Sequence, residues 1–232
     1  MTKRIATTVG AVAVILLTII GCCSNQEQYV RSYIHQYTMY DDIQVRRSNN
    51  YSKHLDLYGK ISKRVDFRSE GNDKIEYENI CKANGDTCYN RYIYTPSGLP
   101  TIMTEYPHFT KINVYSDKDF DEAHPAGTPL NDVIDIIYHS ALEYIRSGYT
   151  AESSLYEKKV KRLSELGDED LNMNTENIFL SFTKDPDIID IHTITIECIN
   201  AHGECFTTTY NYDFSLAEGE VEPKVTVTYE TL

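Results

Sequence analysis

Four of the six cysteines in this 232-residue chain fall into two C-x6-C pairs, Cys81/Cys88 and Cys198/Cys205. Each pair brackets a glycine in a short polar stretch. The chemistry this suggests is disulfide formation, which an oxidising export compartment permits. Four cysteines allow three connectivities, and proximity along the chain favours 81–88 and 198–205. Around the first pair, Asn84-Gly85 is a strong hairpin signal that would set Cys81 opposite Cys88. Paired strand positions about 5.5 Å apart lie within disulfide reach. The second pair is in conflict with its own strands. A three-residue Ala201-His202-Gly203 loop sets Cys198 opposite Phe206, so Cys198 points inward and Cys205 outward. A four-residue loop joins the cysteines but exposes Phe206, because a one-residue slip turns every side chain to the other face.

The second chemical group is acidic: Asp117, Asp119, Asp121 and Glu122, with His124 just beyond. The spacing suggests a calcium loop. The EF-hand pattern requires Gly at its sixth position and Glu at its twelfth, and here those are Glu122 and Thr128. Asp121, Glu122 and His124 could also exchange protons; alternatively, His124-Pro125 shapes the entry to a following helix. There is no G-x-S-x-G, glycine-rich phosphate loop, HExxH or CxxC, and nothing calls for a cofactor. The chain is therefore expected not to be an enzyme.

Cys22 has a different chemistry. The chain opens MTKR, followed by an apolar run over residues 5–20 and then Gly21-Cys22. A basic start and short apolar core read as a secretory leader, and the run is shorter than the ~20 residues a spanning helix needs. A small residue before cysteine fits a lipobox, so residues 1–21 are expected to be removed and Cys22 lipidated. Cys23 is then the odd thiol. The formal charge of −13 opposes nucleic-acid binding, which needs a basic footprint. It leaves open a protein or polymer partner.

The elements that must position these groups are mostly strands. Residues 22–50 read as a tether or short helix, with Tyr29, Tyr33, Tyr37 and Tyr40 on one helical face. Residues 51–232 read as a β-rich domain. Alternation predicts strands over 54–68, 101–115 (broken near Pro107), 177–183 and 221–231, with hairpins over 74–94 and 191–214. Residues 153–166 lean to strand. One central amphipathic helix is predicted over about 128–147, capped by Thr128 with Pro129 at its first position. Leu130, Val133, Ile134, Ile137, Ala141 and Ile145 would form its apolar stripe. The fold class expected is mainly β, an antiparallel sandwich-like or curved sheet.

The runs AHPAGTPLND (123–132), SGYT (147–150), LSELGDEDL (163–171), FLSFTKDP (179–186) and HTITIEC (192–198) resemble an uncharacterised family of Bacteroidetes-type lipoproteins over about a third of the chain. The resemblance implies a lipid-anchored envelope address and a mostly β fold with a helix, and no activity. The cysteines at 198 and 205 depart from that pattern, as does Ser24-Asn25-Gln26 after the lipobox, where surface-exported members often carry acids. The reading reached is an envelope lipoprotein with a non-enzymatic binding or structural domain. The alternatives are a calcium-assisted hydrolase of envelope polymers and an immunity or inhibitor lipoprotein.

Overall fold

The computed structural model describes residues 26–48, 54–95, 102–150, 158–175 and 177–216, with backbone only at 26–28 and 93–95. The leader expected over residues 1–21, Cys22, Cys23 and the strand expected over 221–231 lie outside the described residues. The protein is mainly β. A six-stranded sheet has the order β5-β2-β3-β9-β7-β8, and a three-stranded sheet the order β11-β10-β6. The strands are β2 (Gln36–Arg47), β3 (His54–Asp66), β5 (Met103–Glu105), β6 (Phe109–Ser116), β7 (Ile134–Tyr138), β8 (Lys159–Arg162), β9 (Ile178–Phe182), β10 (Ile191–Asn200) and β11 (Cys205–Asp213). A separate ribbon pairs β1 (Gln26–Val30) with β4 (Arg91–Thr95). All pairings are antiparallel except β2 with β5.

Two apolar clusters hold these layers together. Alternation on β10 turns Ile194, Ile196 and Cys198 inward, where they meet Leu55, Leu57, Ile136 and Leu180 of the larger sheet. This is the sandwich-like core expected from the period-2 pattern. The second cluster is rich in tyrosine and gathers Tyr33, Tyr37, Val65, Tyr77, Ile80, Cys81 and Tyr144. β2 and β3 serve both clusters. Tyr37 and Val65 lie in one, and Ile43, Leu55 and Leu57 in the other. Register shifts on β2 between Met39 and Asp42 mark the change, as expected where a bulge re-aims side chains.

The helix is not where hydrophobic spacing put it. Residues 128–147 form a 3-10 turn (Asn131–Val133), then β7, then a five-residue helix α2 (Leu142–Arg146). Ile134, Ile136, Ile137 and Tyr138 are all buried, because β7 lies inside the sheet between β9 and β8. A strand covered on both faces loses its alternation, and its apolar run then matches a helical stripe. β-branched isoleucines favour the strand.

The main helix, α1 (Gly71–Ala83), lies where the first cysteine hairpin was expected. Tyr77, Ile80 and Cys81 are its buried residues and have helical spacing. Asn84-Gly85 ends this helix instead of turning a hairpin. Gly85 has φ +72°, Asn84 N–H donates to Ile80 O at 3.1 Å and Asp86 N–H to Cys81 O at 2.8 Å. A left-handed glycine after the last turn is a common helix stop, so one dipeptide carries both signals.

Residues 26–47 are likewise not a tether. A spacing of four is even, so Tyr29, Tyr33 and Tyr37 satisfy strand parity as well as a helical face. Tyr29 lies on β1 and Tyr37 on β2, while Tyr33 is buried in the bend that joins them.

One core group makes folding sensitive to pH. Glu105, at the edge of the larger sheet, has a carboxyl inside the protein, met by the Tyr40 hydroxyl at 3.3 Å. Burial raises its pKa to about 7, against the pull of that hydrogen bond. The folded state then binds more protons than the unfolded chain between the usual glutamate range and about pH 7. Stability therefore falls as pH rises through that window. Glu105→Gln keeps an acceptor for Tyr40. It is expected to match the wild type at pH 4–5 and exceed it by about 2–3 kcal/mol at pH 8. Urea melts at both pH values test this; equal gaps at the two would refute it.

Candidate ligand-binding cleft

The AHPAGTPLND run proves to be a fastening. His124 is 7% exposed and bridges two carboxylates, with Nδ1 2.7 Å from Asp121 and Nε2 2.8 Å from Asp132. Burial alone would lower its pKa, but the hydrogen bonds to Asp121 and Asp132 outweigh burial and raise it. Asp121 also pairs with Lys184 at 2.6 Å, and that lysine holds its carboxyl well below the usual range. Leu130 is buried, and Asn131 bonds to the β6 backbone at Val114 N–H (3.1 Å) and Ile112 O (2.9 Å). The run ties the 117–132 loop onto β6.

The acidic residues of this loop do not converge. Asp117 accepts from Thr193 N–H at 2.7 Å, Asp119 from Ala126 N–H at 2.8 Å and Asp121 from Ala123 N–H at 2.8 Å. Glu122 is exposed. Their oxygens shape the backbone in the way Asx turns do. Among the described residues no group of three or more His, Cys, Asp or Glu is arranged to hold a metal.

A serine–histidine pair that sequence reading missed lies deeper. Ser116 Oγ and His192 Nδ1 are 2.8 Å apart. The pair has the composition of a nucleophile and base, but Ser116 is 3% exposed and His192 1%. The imidazole is set edge-on against Phe120 and Phe214. No substrate reaches it, so it is a core hydrogen bond.

The four cysteines among the described residues, Cys81, Cys88, Cys198 and Cys205, are free thiols. The β10–β11 hairpin has Cys198 opposite Phe206 and Ile199 opposite Cys205, with Gly203 at φ +80°. Cys198 is buried and Cys205 exposed, on opposite faces, so this register rules out the 198–205 bond. The expected 81–88 bond rested on a hairpin that is instead a helix and its exit loop.

That exit loop forms one wall of a cleft that sets polar groups around an apolar floor. The cleft, of about 550 Å³, opens between α1 and residues 29–32. Tyr77 and Cys81 face it from α1, Val30 and Ser32 from the β1 side, and Thr87 and Cys88 from the loop. The loop is held by Asp86, which is fully buried. Its carboxylate accepts Tyr33 N–H at 2.6 Å and Ile34 N–H at 2.9 Å, and the Tyr149 hydroxyl lies 3.0 Å away. Burial raises the Asp86 pKa while these three bonds pull the other way. Tyr77 anchors α1 by donating to Ile34 O at 2.7 Å. Behind the cleft, the rings of Tyr33, Tyr89, Tyr144 and Tyr149 meet edge to face. Four of the chain's 19 tyrosines thus pack together in one cluster.

The two thiols of the cleft differ. Cys81 is 2% exposed, and burial pushes its pKa up. Cys88 is exposed at the rim with φ +64°. The arrangement can enclose a small molecule; it sets no base beside an accessible nucleophile. Comparison with family models, with characterised proteins and with solved structures finds no match to this chain.

Proposed function

We propose that this chain is a lipid-anchored protein of a bacterial envelope, held through Cys22, whose β-rich domain works by binding a ligand in the α1 cleft. The cleft carries the reading: it has the volume of small-molecule sites, which run from about 300 to 1,000 Å³, and a floor fixed by buried hydrogen bonds. The serine–histidine pair and the acidic loop, the groups with the composition of catalysts, are committed to internal bonds. The lipobox-like run at residues 19–22 supplies the anchor. Among the described residues no helix is long and apolar enough to cross a membrane.

The test is labelled palmitate incorporation and membrane fractionation of the full chain in a bacterial host. The wild type should take up label and sediment with membranes, and Cys22→Ala should lose both. Equal labelling of the two would overturn the anchor.

A further inference from the structure

We infer that the α1 cleft takes an amphiphilic anion: a phosphate or carboxylate head on an aromatic or acyl body. This deepens the binding reading above and rests on it. The first observation is charge. Arg31, Lys74 and Lys82 line the cleft against a single carboxylate there, Glu78. The chain as a whole is strongly acidic, at −13, so a locally cationic cavity runs against its average.

The second observation is pairing. Several other lysines and arginines are taken up by acids: Arg46 with Asp56, Lys63 with Asp73 and Glu76, Lys118 with Asp190, Arg146 with Glu169, Lys161 with Asp170 and Arg162 with Asp135. Arg31, Lys74 and Lys82 form no ion pair among the described residues. Lys74, Glu78 and Lys82 stand at i, i+4 and i+8 on one face of α1. That spacing brings a glutamate within reach of both lysines, yet neither bonds to it. The ammonium groups are free for a ligand, and cations around a confined cavity focus field lines on an anion.

The third observation is the floor. Above a floor closed by the buried Val30, Tyr77 and Cys81, the rings of Tyr29, 42% exposed, and of half-buried Phe67 line the same cavity and present apolar surface to it. A small inorganic anion leaves this surface unused. An apolar body covers it while its head reaches the exposed cations at the mouth, the division found in amphiphile sites generally.

The two exposed thiols among the described residues provide the measurement. Cys88 stands on the cleft rim and Cys205 on β11, outside it. Membranes carrying the full chain are treated with N-ethylmaleimide, and each cysteine peptide is followed by mass spectrometry. The probes are biphenyl-4-yl phosphate, its neutral counterpart 4-biphenylmethanol, and inorganic phosphate alone. The phosphate ester should slow Cys88 alkylation by about tenfold at saturation and leave Cys205 unchanged, while the other two change either rate by less than about twofold. The Lys74→Glu/Lys82→Glu double variant should lose the protection. The proposal is overturned if the ester gives none, if the neutral alcohol or inorganic phosphate protects as well, if Cys205 is protected equally, or if charge reversal leaves protection intact. Palmitate labelling reads the anchor separately, so the ligand's class can fail while the anchor stands.

Discussion

Asp86→Ala is expected to lower stability by about 3–5 kcal/mol, because it strips the partner from buried groups that water cannot reach. The carboxylate accepts two consecutive amides, Tyr33 N–H and Ile34 N–H, and has the Tyr149 hydroxyl beside it. Alanine leaves both amides with no acceptor. Asparagine is a poor substitute, since its amide nitrogen sets a donor against a donor in either orientation. The substitution also releases the loop that forms one wall of the cleft, so its effect has a local signature. Cys81, 2% exposed in the wild type, should become open to alkylation under native conditions. Denaturation midpoints give the global cost and Cys81 labelling the local one. A loss under about 1 kcal/mol with Cys81 still protected would show that Asp86 does not hold this loop.

Gly59→Ala is the other substitution with a large expected effect. Gly59 lies on β3 opposite Ile43 of β2, and a Cβ there would be driven into the ring of Tyr40. Tyr40 has no easy retreat. Its ring packs on the sandwich core and its hydroxyl serves Glu105. The expected cost is about 2–4 kcal/mol, the range for overpacking with loss of a buried contact. The cause can be isolated in a Tyr40→Ala background, where the new methyl has room. There Gly59→Ala should be neutral or stabilising by up to about 1 kcal/mol, since glycine weakens strands. The same penalty in both backgrounds would refute the steric account.

These two residues show what the sequence made legible. The β10–β11 hairpin was readable as a hairpin from its alternating core residues, but two loop lengths stayed open, and the structure takes the three-residue one, which puts Cys198 opposite Phe206. The break near Pro107 between β5 and β6 was readable for the same local reason. The helix was misplaced twice over, since local patterns there are degenerate. A doubly covered strand at 134–138 imitates a helical stripe, and Asn84-Gly85 ends a helix as well as it turns a hairpin. The triplet Tyr77, Ile80, Cys81, with Lys74, Glu78 and Lys82 beside it, was the available helical signal. The cleft itself was beyond reach. It joins residues 29–32 to residues 67–88, and no spacing along the chain announces that Asp86 will cap Tyr33 and Ile34.

The passage of β2 and β3 through both apolar clusters bears on how the molecule yields. A domain with two separate cores could melt in two steps. Here neither core can loosen without stranding half of a long hairpin whose other half remains packed, with Tyr37 and Val65 on one side of the bulge and Ile43 and Leu57 on the other. The free energy of the tyrosine cluster is therefore shared with the sandwich. β2 itself makes the link: it carries Tyr37 in the tyrosine cluster and ends at Arg47, whose guanidinium lies over the Tyr212 ring of the sandwich.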